Sequence, residues 1–168
     1  MALLEVLKFP DPRLHLVGKK IDTVTDEIRQ LVKDMAQTMY ENNGIGLAAT
    51  QVDVQLRLLI IDISGEDEPK NLQVFINPEI IEKDGEVVSE EGCLSVPTIY
   101  EKVARSEKIK IKYQDINQVE HIQEWDGLMS VCLQHEIDHL DGKVFVEYLS
   151  QLKQNFIKKR LKKIFKPK

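Results

Sequence analysis

Apolar positions along the chain fall into three stretches with helical spacing and several with strand-like patterning. In residues 26–43, Ile28, Leu31, Val32, Met35 and Met39 recur at i, i+3, i+4, i+7 and i+11, one face of an amphipathic helix. Thr25 is placed to cap its N-terminus, Asp26 and Glu27 suit the positive end, and Asn42, Asn43 and Gly44 supply a stop signal. In residues 127–141 the same spacing links Leu128, Val131, Cys132, His135 and His139, predicting a second helix with Asp126 as N-cap and these five side chains facing inward. Residues 150–166 predict a third helix with Leu152, Phe156, Ile157, Leu161, Ile164 and Phe165 on its apolar side.

The unbroken apolar run "LRLLIIDIS" (56–64) predicts a buried strand, followed by the polar loop "GEDEPKN" (65–71). "LQVFINPEI" (72–80) predicts a strand that Asn77-Pro78 stops. "EKIKIKY" (107–113) alternates strictly, as a half-exposed strand does, and "VEHIQEW" (119–125) is its hairpin partner across "QDINQ". "EEGCLSVP" is a glycine-bearing turn between strand-like segments, and "VFVEYL" (144–149) fits either a short strand or the start of a helix. Without βαβ alternation, this order predicts an α+β fold: antiparallel or mixed sheets around the helix at 127–141, with a further helix at the C-terminus.

A chain of 168 residues, 42% hydrophobic and 30% charged, is expected to form one soluble domain. Two cysteines do not make a disulfide scaffold and point to a reducing, cytoplasmic setting. The first residues lack the pattern of a signal or transit peptide, and no apolar run reaches the ~18 residues of a membrane helix. The net charge of −5 conceals an asymmetry. Residues 150–168 hold eight Lys/Arg and no Asp/Glu, leaving 15 basic against 28 acidic groups in residues 1–149. The chain therefore reads as a body, 1–149, with a basic amphipathic tail, 150–168, suited to an anionic partner.

"GIGLAATQ" (44–51) matches a dinucleotide fingerprint, with Asp62 near the ribose-binding position. Its context is wrong: the fingerprint follows a strand and opens a helix, whereas Gly44 closes one. The stronger signal is "QHEIDHLDG" (134–142). His135 and His139, four apart on one helical face, can grip one ion, and Glu136 can reach a water bound to it. A catalytic ion commonly takes a third protein ligand. Phe145 stands where metzincins place a histidine, and Glu147, the nearest downstream glutamate, lies in an apolar segment. Two cysteines remain: Cys132, with the features of a small buried core residue, and Cys93, in a turn able to aim a thiolate at a helix face.

"GIGLAATQ", "EGCLS" and "QHEIDHLDG" together resemble, in order and spacing, the three signature motifs of bacterial peptide deformylases, over residues 3 to 150. Thr50 stands where that family often has proline, and Tyr100 near where some members carry an arginine, so no substrate role transfers to Tyr100. The resemblance implies hydrolysis of the N-formyl group from the initiator methionine of nascent polypeptides. It implies Cys93, His135 and His139 as ligands of one divalent ion, Fe2+ in the cell, with Zn2+, Ni2+ or Co2+ able to substitute. It also implies attack by a metal-bound water, with Glu136 as general acid/base and the Gln51 side-chain amide and Leu94 N–H as oxyanion donors. Ile45, Leu128, Val131 and the face of His135 would line the methionine pocket, and backbone at Gly46 would pair with the substrate. Glu91 and Arg105 can form an ion pair bracing the "EGCLS" turn.

Two other readings stay open on the sequence: a peptide-bond metalloprotease, and a binding module whose structural metal is closed by Cys132. The tail can dock on ribosomal RNA, pack on the body with a solvated basic face, or meet an anionic membrane surface.

Overall fold

The computed structural model describes residues 3–164. α1 spans Asp26–Glu41, and the Thr25 hydroxyl caps it by accepting the Ile28 N–H at 3.3 Å. The chain leaves this helix through Asn43, whose φ of 56° is left-handed, a conformation asparagine tolerates. There follow β1 (Gly46–Ala48), a 3-10 turn (Ala49–Val52), β2 (Leu58–Ile61), β3 (Gln73–Asp84), β4 (Val87–Cys93), β5 (Val96–Arg105), β6 (Lys108–Gln114) and β7 (Glu120–Asp126). α2 (Gly127–Leu140), a 3-10 turn (Phe145–Tyr148) and α3 (Gln151–Ile164) complete the described chain. The pattern predicted at 107–113 and 119–125 is seen as the β6–β7 hairpin.

One sheet has the order β1-β2-β3-β6-β7 and β4-β5 form a separate pair, with every strand pairing antiparallel. The apolar run in β2 is unbroken because both sheet faces are covered. Leu58 and Ile60 pack in a cluster with Val32, Met35 and Met39 of α1, whereas Leu59 and Ile61 pack with Leu133, Ile137 and Leu140 of α2. A third cluster joins Leu7, Phe9 and Leu14 to Val96, Ile99 and Val103 of β5 and to Ile157 and Leu161 of α3.

Four expectations change. β3 does not stop at Asn77-Pro78 but runs to Asp84. Asn77 adopts φ 52°, the register shifts between Ile76 and Glu79, and the Asn77 amide bonds both backbone groups of Ile21, so the break is absorbed as a bulge. Residues 145–148 form a 3-10 turn, neither strand nor α-helix. Asp126 makes no side-chain cap hydrogen bond to α2. On α3 only Ile157 and Leu161 are buried; Leu152 (81% exposed), Phe156 (63%) and Ile164 (50%) face outward. Phe165 lies outside the described residues.

The C-terminal end of α2 is tied to the body by its carbonyls, which a helix leaves unpaired. The Thr50 hydroxyl donates to the His139 carbonyl at 3.0 Å, and the Gly18 N–H and Arg57 Nη1 donate to that of Leu140. Midway along the helix, Gln134 pairs with both backbone groups of Ser106 at 2.9 and 2.8 Å. The middle and the C-terminal end of α2 are thereby tied to the β5–β6 corner, to the 3-10 turn after β1 and to the segments at Gly18 and Arg57.

Candidate metal centre

His135 and His139 are one helical turn apart on α2, so both rings leave the same side, with Nε2 atoms 3.2 Å apart. Cys93 ends β4, immediately before the tight turn into β5, and its Sγ lies 3.3 Å from His139 Nε2. The three donor atoms lie within 4.8 Å of one another. Metal bonds of 2.0–2.3 Å in a tetrahedron require donor separations of roughly 3.3–3.6 Å, so the spacings of 3.2 and 3.3 Å fit a shared ion. Two facing imidazole nitrogens and a thiol form a poor hydrogen-bonding set but a good set of borderline donors for a first-row divalent metal.

The groups behind the histidines orient them. Glu91 Oε1 is 2.8 Å from His135 Nδ1, which leaves Nε2 as that ring's free donor. Arg105 grips Glu91 with two bonds, at 2.8 and 2.9 Å, and reaches Asp138 at 2.6 Å; the Tyr148 hydroxyl donates to the same Asp138 oxygen at 2.8 Å. Glu91 and Arg105 side chains are each 5% exposed, so their pairing is buried and bidentate, unlike a solvated surface pair. Burial opposes the Glu91 charge, but hydrogen bonds from Arg105 and His135 outweigh it and hold the carboxyl at about 2. Burial likewise opposes a charge on His135, yet its contacts with Cys93 and Glu91 push its pKa well above the ordinary value. Burial, then the neighbouring His135 charge, holds His139 well below its ordinary value, leaving a lone pair to donate.

Glu136 Oε1 lies 3.6 Å and 3.8 Å from the Nε2 atoms of His135 and His139. Burial, its largest influence, pushes its carboxyl up to about 7. This packing depends on Gly46: a Cβ there would stand 3.1 Å from Glu136 Cγ and Oε2. Gly44 plays the matching part for the second motif, since a Cβ there would stand 2.9 Å from Leu94 Cδ1. The two glycines of "GIGLAATQ" thus admit side chains from the other two motifs. Gln51, 1% exposed, directs Nε2 to within 3.4 Å of Cys93 Sγ. The Leu94 N–H has no hydrogen-bond partner among the described residues.

These groups open on a cleft of about 1320 Å³ lined by Ile45, Gly46, Gln51, Cys93, Leu94, Leu128, Val131, His135 and Glu136, among others. A model of the polypeptide deformylase family matches residues 3–155. The chain belongs to the polypeptide deformylase family. Peptide deformylases from Chromobacterium violaceum and Neisseria gonorrhoeae are 56% and 55% identical to it over 163 and 164 residues, each covering 97% of this chain and 96% of the relative. The crystal structure of peptide deformylase from Ehrlichia chaffeensis in complex with actinonin matches at TM-score 0.94 and 40% identity, covering 99% and 100% of the two chains. That of a peptide deformylase from Legionella pneumophila matches at 0.90 and 42%, covering 96% and 95%.

The deformylase fold places the site residues expected from sequence along this one cleft, except His139, which lies buried behind it and joins Cys93 and His135 in the donor cluster; one residue differs in environment. Leu128 was expected on the inward face of α2 but is 54% exposed, because the first turn of α2 borders the open cleft. Ile45 is also exposed, at 43%, whereas Val131 is buried. Among the described residues the candidate donor cluster contains Cys93 and not Cys132, whose thiol burial pushes up to about 12. Glu147 bonds the Val144 N–H and faces His15, away from the donors. Asp62 accepts bonds from Tyr40, Ser64 and Asn71, anchoring the loop after β2. Asp138, Tyr148, Gln134 and Ser95 were not singled out in the sequence. Asp138 lies inside the "HEIDH" string, and its position one step before His139 was the available clue.

Proposed function

We propose that the chain hydrolyses the N-formyl group of the initiator methionine on nascent polypeptides, releasing formate and a free amine. The observation that carries this reading is the convergence of Cys93, His135 and His139 beside a buried glutamate and a side-chain amide at one cleft. A divalent ion held by these three residues, Fe2+ in the cell with Zn2+, Ni2+ or Co2+ able to replace it, supplies a Lewis acid that lowers the pKa of water from ~16 towards ~7.

Glu136 accepts the proton of the attacking water and returns it to the leaving amine. A carboxyl whose burial places it at about 7 suits both directions of transfer. As water adds to the formyl carbon, negative charge collects on the former carbonyl oxygen. Gln51 Nε2 and the unpartnered Leu94 N–H donate to it, each such donor typically worth ~3–4 kcal/mol of barrier. Formyl is too small to give much discrimination by burial, so the methionine side chain provides it, against Ile45, Leu128, Val131 and the face of His135. β1 pairs only with β2 among the described strands, and its other edge at Gly46 accepts the substrate backbone as an added strand.

The catalytic unit is residues 1–149 and the tail is 150–168. Leu152, Phe156, Lys159 and Lys163, at i, i+4, i+7 and i+11, share an exposed stripe of α3, offering apolar and positive contacts together. This supports docking of the tail on the ribosome, where nascent chains emerge, and an enzyme of the cytoplasm. Among the described residues no helix is long and apolar enough to cross a membrane.

The test is a direct comparison of formyl-Met peptides with internally quenched, unformylated peptides. The expected outcome is turnover of the first set alone; cleavage confined to the second would replace this reading with a peptide-bond protease.

A further inference from the structure

Gln51 is useful as an oxyanion donor only if its amide presents an N–H, and not its carbonyl, to the reacting centre. A terminal amide torsion has a broad, roughly two-fold preference, so the chain must impose the orientation. Two contacts do so. The Ala48 N–H, which can only donate, stands 2.9 Å from one end of the amide, so that end is the oxygen. At the other end, Nε2 donates to the hydroxyl of Ser95 at 3.0 Å, and its second hydrogen is left on the side of Cys93 Sγ, 3.4 Å away.

Ser95 is fully buried and sits in the tight turn between β4 and β5, beside Leu94. Its distance from Gln51 is held by a third segment. The Leu7 N–H donates to the Gln51 carbonyl and the Phe9 N–H to the Ser95 carbonyl, both at 2.8 Å. Leu7 and Phe9 side chains are each 3% exposed, packed beneath the hairpin. Two residues 44 positions apart are thus clamped by one short run of N-terminal backbone.

We propose that Ser95 is a positioning residue for the Gln51 amide: its hydroxyl takes one amide hydrogen and so aims the other at the developing oxyanion. This rests on Gln51 being an oxyanion donor. Ser95 contacts neither the substrate nor the ion; it acts through Gln51 alone. Its removal therefore weakens a contact made only in the transition state, which lowers kcat and leaves KM unchanged. Full loss of such a donor costs ~10²–10³ in kcat, and a misaimed donor costs a part of that, about tenfold.

The experiment is a double-mutant cycle on the metal-loaded full chain, using Ser95→Ala, Gln51→Ala and the double variant, with kcat, KM, metal content and thermal unfolding measured for each. Ser95→Ala is expected to lower kcat about tenfold at constant KM and metal content, and to have no further effect once Gln51 is alanine, because interacting residues are non-additive. An equal loss in both backgrounds, an unchanged kcat, or an effect confined to KM overturns the positioning role. Undiminished kcat in Gln51→Ala overturns the oxyanion reading itself, a failure visible without any Ser95 variant.

Discussion

Glu136 is a buried carboxyl at the wall of the cleft, 3% exposed, with one oxygen facing the two imidazoles and the other lacking a hydrogen-bond partner among the described residues. Replacement by glutamine keeps its shape and removes its basicity. Glu136→Gln is expected to lower kcat by ~10²–10⁴ while the metal content stays at the wild-type level. Wild-type activity in that variant would remove the general-base assignment. The pH profile follows from the sign of the shift. Burial raises the carboxyl to about 7, so it is protonated and inactive as a base below that pH. A cation beside it can only lower this value. The acid limb of kcat/KM should therefore lie at or below about pH 7, and a limb well above 7 contradicts the role. His135, Glu136 and His139 were legible because a helix of known period sets their directions. Gln51 was legible only through resemblance: nothing in a lone glutamine tells that Ala48 and Ser95 orient it.

At the scale of elements, the buried Glu91–Arg105 pair joins the β4–β5 hairpin to α2 through His135 and Asp138. Breaking a buried pair by removing one partner typically costs ~3–5 kcal/mol, so Arg105→Met should unfold at markedly lower urea concentration than wild type. The Glu91 carboxyl is depressed from an ordinary 4.5 to about 2. Its charge therefore stabilises the fold fully above pH 4.5, and that contribution is lost as pH falls from 4.5 towards 2. Acid titration of wild type and Glu91→Gln should show this portion of the pH dependence in the first alone. The hairpin itself was only partly legible. β4 alternates in burial, but its inward positions are Val87, Ser89, Glu91 and Cys93, so the alternation is not one of hydrophobicity; the strand belongs to a two-stranded pair beside a cleft and not to the main sheet. β2 and β6 were plain because burial on two faces and on one face leaves distinct patterns. Asn77-Pro78 misled because a bulge tied to Ile21 lets β3 continue where local propensity stops it.

At the scale of the molecule, α3 meets the body through a narrow contact, Ile157 and Leu161, and turns Leu152 and Phe156 outward. Apolar spacing in the sequence could not separate these roles, because a docking stripe and a core stripe look alike until the body is placed. Ile157→Ala should cost ~2–5 kcal/mol of stability. Leu152→Ser with Phe156→Ser should change stability by only about 0.5 kcal/mol each yet weaken ribosome binding in a salt-dependent sedimentation assay. Wild-type binding by that double variant would return the tail to a purely packing role.

The cleft needs all three clusters at once: α2 supplies His135, Glu136 and His139, the hairpin supplies Cys93 and Leu94, and the segment after α1 supplies Gln51. The most direct test joins metal analysis to formate release from a formyl-Met peptide under anaerobic conditions, in wild type and in Cys93→Ala. Wild type should hold one divalent ion per chain and release formate in step with peptide consumed, and Cys93→Ala should lose both the ion and the turnover. A Cys93→Ala chain that keeps its full metal and releases formate at the wild-type rate would contradict the account.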